Sequence, residues 1–430
     1  MTPREFLRRY RYDGRLVTGG YFPAGPLTVS RGDRVGVVLL YPGGPSGRDD
    51  VAPYLNRLFM DPALVDLRLG KVLRPMLCRM AAAALSKSVG KEYEAIGGRS
   101  IINRFANEQA RVLETVLNRR FGADGGIEFR TYLAARYGRP SSEETARRME
   151  AEGITHVVLL PLYPQYSKSS SGSSLVYWWT LGQAGEIPSW PTTYVFEYAA
   201  HPKYIQALSE RIDEALQRFP RGVRARVHLV FSAHGTPLRE LTERHDPYCC
   251  LIHSTVDRVM KYRQNDHPFH VAFQSRLGLA EWLTPGTSEK VQELAQAGHD
   301  AVLVVPITFV LDCLETTYKL DVKLREEAEH AGIRHYEVSS ALNCHPLFIE
   351  ALAEVAVSQL VGKEGETPTA LGGDGVPPYA LCPLNEREAF AVTDRTVRCE
   401  QCAALIEAQK WASAAGTAHS VRVRPSRGSD

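Results

Sequence analysis

The chain is poor in cysteine, with eight in 430 residues, and that excludes a small scaffold held together by disulfides. Five of them, Cys78, Cys249, Cys250, Cys313 and Cys344, are scattered, and the other three, Cys382, Cys399 and Cys402, fall late. This usage points to a reducing cytoplasm. Net charge is nearly absent too, at +2. With no basic run carrying interleaved aromatics, nucleic acid is dropped as a partner. No stretch of 18 apolar residues exists, so no membrane-crossing helix is expected. The first dozen residues have no apolar core for a secretory signal, and Glu5 and Asp13 weigh against a transit peptide. The glycine-rich fingerprints of nucleotide sites are missing as well.

What remains is an ordinary globular composition, 44% hydrophobic and 23% charged, on a length that suggests two domains plus extensions. Four short runs, Val35–Leu40, Val157–Leu162, Val227–Phe231 and Val302–Ile307, are apolar on both parities. A strand buried on both faces of a parallel sheet has that pattern. His270–Gln274 predicts a fifth strand. Helical stretches lie between, among them one opening with the capping-box spacing Ser141 to Glu144 and stopping before Gly153. Another is capped at Thr287 and terminated at Gly298. Alternating strand and helix implies an α/β fold of doubly wound parallel sheets, in two blocks at 34–185 and 186–360. Residues 1–33 read as an irregular extension. A linker is expected at 361–378, a cysteine-containing extension at 379–412 and a disordered tail at 413–430.

Ligands on open α/β sheets bind beyond the carboxyl ends of the strands. The four runs lead into Tyr41-Pro-Gly-Gly-Pro45, into Tyr163–Ser174, into Ser232-Ala-His-Gly-Thr-Pro237 and into Thr308–Glu315. One histidine, His234, and two carboxylates, Asp312 and Glu315, therefore arrive at strand ends. Taken singly, His234 reads as a core histidine and the carboxylates as helix-start acids. Together, imidazole and carboxylate suit a borderline divalent ion such as ferrous iron, and proton removal near neutral pH.

Several segments in order resemble the ferrochelatase family. They are Pro161–Ser174 with Tyr-Pro-Gln-Tyr-Ser at its heart, Phe231–Pro237, His245-Asp-Pro-Tyr248 and Phe273–Gly278 with Trp282–Pro285. Val305–Thr316, Tyr93–Gly98 and Leu342–Leu347 complete the set. The resemblance spans about residues 34–360. It implies two Rossmann-like halves with a porphyrin cleft between them and insertion of Fe(2+), the substrate metal, into the porphyrin. It carries the metal-binding and catalytic roles to His234 and Glu315. It carries porphyrin-lining roles to Tyr41, Tyr93, Arg136, Tyr137, Tyr163, Ser275 and Trp282. Tyrosine and tryptophan faces can sandwich a flat macrocycle, and an arginine can meet a propionate.

Two departures stand out. Cys313 occupies the usual place of a second histidine, and Lys319 that of a frequent carboxylate one turn beyond Glu315. They keep two alternatives in play: a porphyrin-binding relative without turnover, and a chelatase for another divalent metal. Some family members carry a [2Fe–2S] cluster on a C-terminal extension. By that likeness Cys382, Cys399 and Cys402 are candidate cluster ligands, with the fourth open and a zinc site as the second option. Finally, Leu67–Leu85 is apolar and spotted with Arg68, Lys71, Arg74 and Arg79. It is expected to form a lip over the cleft and to touch a membrane surface, a buried helix being the bland alternative.

Overall fold

The computed structural model describes residues 1–9, 27–65, 73–122, 126–242, 246–274 and 280–362. The linker expected from 361 does not begin there, since Val361 and Gly362 end a strand; the rest of it, the late cysteines, the tail, Ser275, Arg68 and Lys71 fall outside the described residues.

Among the described residues, ten strands build three parallel sheets. In chain order they are β1 (Leu27–Val29), β2 (Arg34–Tyr41), β3 (Glu128–Ala135), β4 (His156–Pro161), β5 (Thr192–Tyr194), β6 (His228–His234), β7 (Phe269–Gln274), β8 (Ala301–Pro306), β9 (His335–Val338) and β10 (Leu360–Gly362). The first large sheet runs β3-β2-β4-β5 and the second β7-β6-β8-β9. Each thus places its strands in the order second, first, third, fourth, so the same doubly wound unit occurs twice. β1 and β10 form a two-stranded parallel pair, which joins residues from the two ends of the described chain.

The central strands are the runs apolar on both parities. β2 is buried at every position after Arg34, and β8 is buried throughout. Helices cover both faces of each sheet, as parallel sheets require. One core of the first half packs Val38, Leu40, Val157 and Leu159 against Leu175, Trp178 and Leu181 of the Ser173–Gln183 helix. In the second, Val230, Ala272, Val302 and Val304 meet Val291, Leu294, Leu324 and Ala328.

Local signals behave as their chemistry requires. The helix Ser142–Ala151 carries a full capping box: Glu144 N–H donates to Ser141 Oγ at 3.2 Å, and Ser141 N–H to Glu144 at 2.9 Å. The second expected cap is off by one. Gly286 is the N-cap of Thr287–Gln296, because Glu289 reaches back to the Gly286 N–H, and Thr287 Oγ1 instead pairs with Ser232 Oγ. Gly298 ends that helix region at φ +85, a conformation that suits glycine. Residues 1–33 hold more structure than expected, with a helix at Pro3–Arg9 beside β1. The first sheet takes its fourth strand from 192–194, beyond residue 185.

Candidate active site

In a sheet of this order the chain leaves the first and third strands in opposite directions, and the crevice between their carboxyl ends is where a ligand fits. In the first half that crevice lies between the ends of β2 and β4, which deliver Tyr41 and the Leu162–Ser174 loop. In the second it lies between β6 and β8, which deliver His234 and the loop to Glu315. All four segments singled out from sequence converge on the two switch points.

His234 is the last residue of β6. Its N–H donates to Thr308 Oγ1 at 3.2 Å, its carbonyl accepts from Tyr248 Oη at 2.9 Å, and its ring stands edge-on to Phe309 at 6.2 Å. These contacts hold the backbone and leave the imidazole open to solvent. Protein packed around the open side still lowers its pKa, with Lys319 acting the same way and Glu315 opposing. Burial in the surrounding protein fixes the direction.

Glu315 opens a π-helix, Glu315–Lys323, a form that concentrates at functional sites because its wide turn re-aims side chains. Burial pushes its carboxyl up, but Lys319, His234 and the Cys313 thiol together hold it below the ordinary value. Lys319 Nζ lies 3.4 Å from Glu315 Oε1. Cys313 is buried next to this carboxylate, and both circumstances raise its thiol far above the usual range. It therefore stays protonated, which disfavours it as a metal ligand in this state.

Asp312, equal to Glu315 in the sequence, does different work. It accepts from Thr316 Oγ1, Asn343 Nδ2 and the Ala341 N–H at 2.9, 2.7 and 3.2 Å, and Asn343 Oδ1 accepts from the Asp312 N–H at 3.0 Å. Asp312 ties down the loop that carries Glu315.

The wall from the first half is built around Asp61, which nothing in the sequence marked. Its carboxylate meets Arg136 Nη2 at 2.8 Å, accepts from Tyr137 Oη at 2.7 Å and pairs with Ser173 Oγ. Arg136 Nε donates to Ser173 Oγ at 3.0 Å, and its guanidinium lies over Tyr177 and Phe6. Arg136 and Tyr137 are thus held inside the wall. Tyr41 is also buried, its hydroxyl donating at 3.3 Å to Asn103 and to the Arg139 carbonyl. Tyr93 is buried next to Ser100 and feels the charge of Glu315. Tyr163 and Trp282 keep part of their surface open. Porphyrin contact by Tyr41, Tyr93 or Tyr137 would need the wall to move. The two halves meet here, since Leu314 and Tyr318 pack with Tyr54, Tyr93 and Tyr137.

The turn after β2 requires glycine. Gly43 has φ +73, and a Cβ there would sit 2.9 Å from Gly138 Cα. On the far side, Asp246 clamps the halves, accepting from Ser167 Oγ and from the Lys168 N–H, both at 2.9 Å. Burial raises its pKa to about 6. Lys168 Nζ meets Glu240 at 2.8 Å with both side chains buried.

Among the described residues no group of three His, Cys, Asp or Glu side chains is arranged as a ready metal site. The candidate iron ligands are therefore two, His234 at the end of β6 and Glu315 at the start of the π-helix that follows β8, the first exposed and the second partly so.

The family model described as Ferrochelatase matches residues 34–360. The chain is 38% identical over 331 residues to a protein of Gloeobacter violaceus named Ferrochelatase, covering 76% of this chain and 98% of that one. It is 39% identical over 327 residues to the Geotalea daltonii protein of the same name, with 76% and 98% covered. Both matched proteins are covered almost end to end, whereas the family match leaves this chain's three late cysteines beyond it.

Proposed function

The chain belongs to the ferrochelatase family, and from that premise we propose how its own residues insert iron into a porphyrin. Insertion exchanges two pyrrole N–H protons for one Fe(2+), so the site must hold the metal and accept protons. His234 and Glu315 do both. The observation that carries this reading is their convergence at the switch point of the second sheet, each shifting the other's protonation. His234, with its pKa lowered, is neutral at physiological pH and has a lone pair for a proton or for iron. Glu315, held low by Lys319 and His234, is an anion beside it. The macrocycle lies across the cleft on the open faces of Tyr163 and Trp282. Tyr41, Tyr93, Arg136 and Tyr137 shape the wall behind, and Ser275, outside the described residues, is given a porphyrin-binding role by the family resemblance alone. The test is anaerobic insertion of Fe(2+) into protoporphyrin or coproporphyrin by the purified chain, followed by haem absorbance. No haem above the spontaneous rate would overturn it.

Two further readings go beyond that pair of residues. The helix Leu73–Ala95 turns an apolar face to solvent, with Met76 52% and Met80 61% exposed beside Arg79 and Lys87. Arg74, by contrast, is buried against the Phe59 carbonyl. No helix among the described residues is long and apolar enough to cross a membrane. A lip of this kind, on a cytoplasmic protein, takes a porphyrin from a lipid surface. Flotation with anionic liposomes at low salt checks it, and full recovery of protein in the pellet fraction would remove the idea. Cys382, Cys399 and Cys402 hold a [2Fe–2S] cluster, with zinc as the weaker option, because thiolates close in sequence share an ion at low closure entropy. Anaerobically purified protein should then be coloured and contain iron and acid-labile sulfide in equal amounts. Colourless, metal-free protein from cluster-replete cells would make them plain thiols.

A further inference from the structure

The amino end of the second sheet, away from His234, gathers three histidines. His228 opens β6, His270 is the second residue of β7, and His299 lies in the turn before β8. Six residue steps separate His228 from His234, so at about 3.3 Å per residue the cluster lies about 20 Å from the active site.

Strand periodicity puts His228 and His270 on the face that carries Val230 and Ala272, the face packed against the Thr287–Gln296 helix. That helix ends in the left-handed Gly298. The reversal lets the His299 N–H donate to the Leu294 carbonyl at 3.0 Å and brings its ring to the cluster. The rings of His228 and His270 stack with centroids 5.4 Å apart and planes 6° from parallel, and His299 lies 3.9 Å from His228. Nδ1 of His228 stands 3.1 Å from Nε2 of His270. His228 and His299 border a cavity of about 560 Å³.

We propose that His228, His270 and His299 form a second divalent-metal site, for a borderline ion of the zinc type, at the end of β6 remote from the porphyrin cleft. The donor spacing carries the idea. Two imidazole nitrogens bound at 2.0–2.1 Å to one tetrahedral ion lie roughly 3.3 Å apart. The His228–His270 pair is already within a few tenths of an ångström of that separation. Metal entry requires their lone pairs to turn from each other toward a common point. The ring that donates the present N–H···N bond moves to its other tautomer, so the pair loses no proton. His299, whose ring makes no hydrogen bond among the described residues, rotates in as the third ligand, and water completes the shell.

The protonation state of the rings suits this occupant. Burial and the neighbouring imidazoles push His228 down to about 4, and burial with Lys290 lowers His270, so both are neutral at physiological pH. Neutral imidazole is the metal-binding form. Of the other groups facing it, Glu293 pairs with Lys290 at 2.6 Å, and Asp300 takes Arg226 in a two-pronged contact at 3.0 and 3.1 Å. Arg334 borders the same cavity. Both carboxylates are engaged, which leaves the histidines as the ligands.

The test is titration of the full chain with Zn(2+) by calorimetry and with Co(2+) by visible absorption, without porphyrin. The parent should bind one more zinc equivalent than H228A/H299A. The difference cobalt spectrum should show ligand-field bands with no thiolate charge transfer. His234→Ala should remove a separate equivalent, so this result and the assignment of the active site fail independently. His299→Gln, at a less buried position, should weaken the site at least tenfold and keeps the test intact if the double variant does not fold. Equal zinc stoichiometry and affinity in the parent, in H228A/H299A and in His299→Gln, or only thiolate-bearing cobalt bands, would overturn the proposal and leave the histidines a neutral stack closing the sheet end.

Discussion

The two walls of the cleft come from the same strand order, yet they are built in opposite ways. The first half places its polar groups inward. Asp61, Arg136, Tyr137 and Ser173 satisfy one another within a buried network. The second half presents His234 at the end of β6 and Glu315 at the start of the following π-helix, held by backbone contacts, by Lys319 and by the Cys313 thiol. A buried network resists change because breaking it strands a charge away from water. An open imidazole and carboxylate remain free to exchange protons and a metal ion. On the proposed mechanism, the difference means that one wall positions and the other reacts.

The sharpest way to break that contrast is a reciprocal pair of substitutions. His234→Ala should lower iron insertion by about 10²- to 10⁴-fold, the span of a lost acid–base group, while the melting temperature stays within error. Residual insertion above a tenth of the parent rate would reverse the assignment. Asp61→Ala should do the opposite, with destabilisation of about 3–5 kcal/mol from an unpaired buried Arg136. Denaturant melts measure it, and an unchanged midpoint would mean that the wall is not a stabilising network.

Glu315→Gln sharpens the reactive side. The amide is nearly isosteric, but it neither accepts a proton as a carboxylate does nor carries charge. Turnover should fall by about 10²-fold, while porphyrin affinity, followed by fluorescence, survives. Lost affinity with normal turnover per bound porphyrin would move Glu315 from chemistry to binding.

Much of this contrast could be read in advance, and the parts that could not have physical reasons. Strands buried on both faces announce themselves, so β2, β4, β6 and β8 were legible within a residue or two, apart from the end of β6, which runs on to His234 itself, and the edge strand β7 was legible from its apolar Val271-Ala-Phe273. β3 was not, because it is an edge strand whose first half mixes Glu128, Arg130 and Thr131 with one buried Phe129. β5 and β9 are short edges. His234 and Glu315 stood out because chain order puts them after strands. Their separation from Asp312 depends on Asn343, about thirty residues later. Asp61 was invisible, since its side-chain partners Arg136, Tyr137 and Ser173 lie 75 or more residues away and a lone aspartate carries no pattern. The resemblance named Tyr41, Arg136 and Tyr137 as wall residues, but motif identity does not encode whether a side chain faces the ligand or the protein behind it.

Lys319 gives the smallest effect and tests whether charge at the reactive wall is tuned or incidental. Its ammonium lowers the pKa of Glu315, against the upward push of burial, and also helps to lower that of His234. On the proposed mechanism insertion needs both in their basic forms, so protonation of either on acidification should slow the reaction. Lys319→Met removes a charge that favours both basic forms. Both groups should therefore take up protons at higher pH than in the parent, and the acid limb of the insertion profile should move toward neutrality. Above that limb the rate should stay near the parent value, since neither the imidazole nor the carboxylate is lost. The pair is about a third exposed, and solvent weakens such a contact, so the shift should be modest and should shrink in the parent–variant comparison as salt is added. The measurement is kcat/KM for Fe(2+) insertion across the acidic range at two ionic strengths. A limb that moves toward lower pH would contradict the sign of the coupling. A limb that does not move would show that the lysine is screened by water and that the protein around His234 and Glu315 sets their protonation without it.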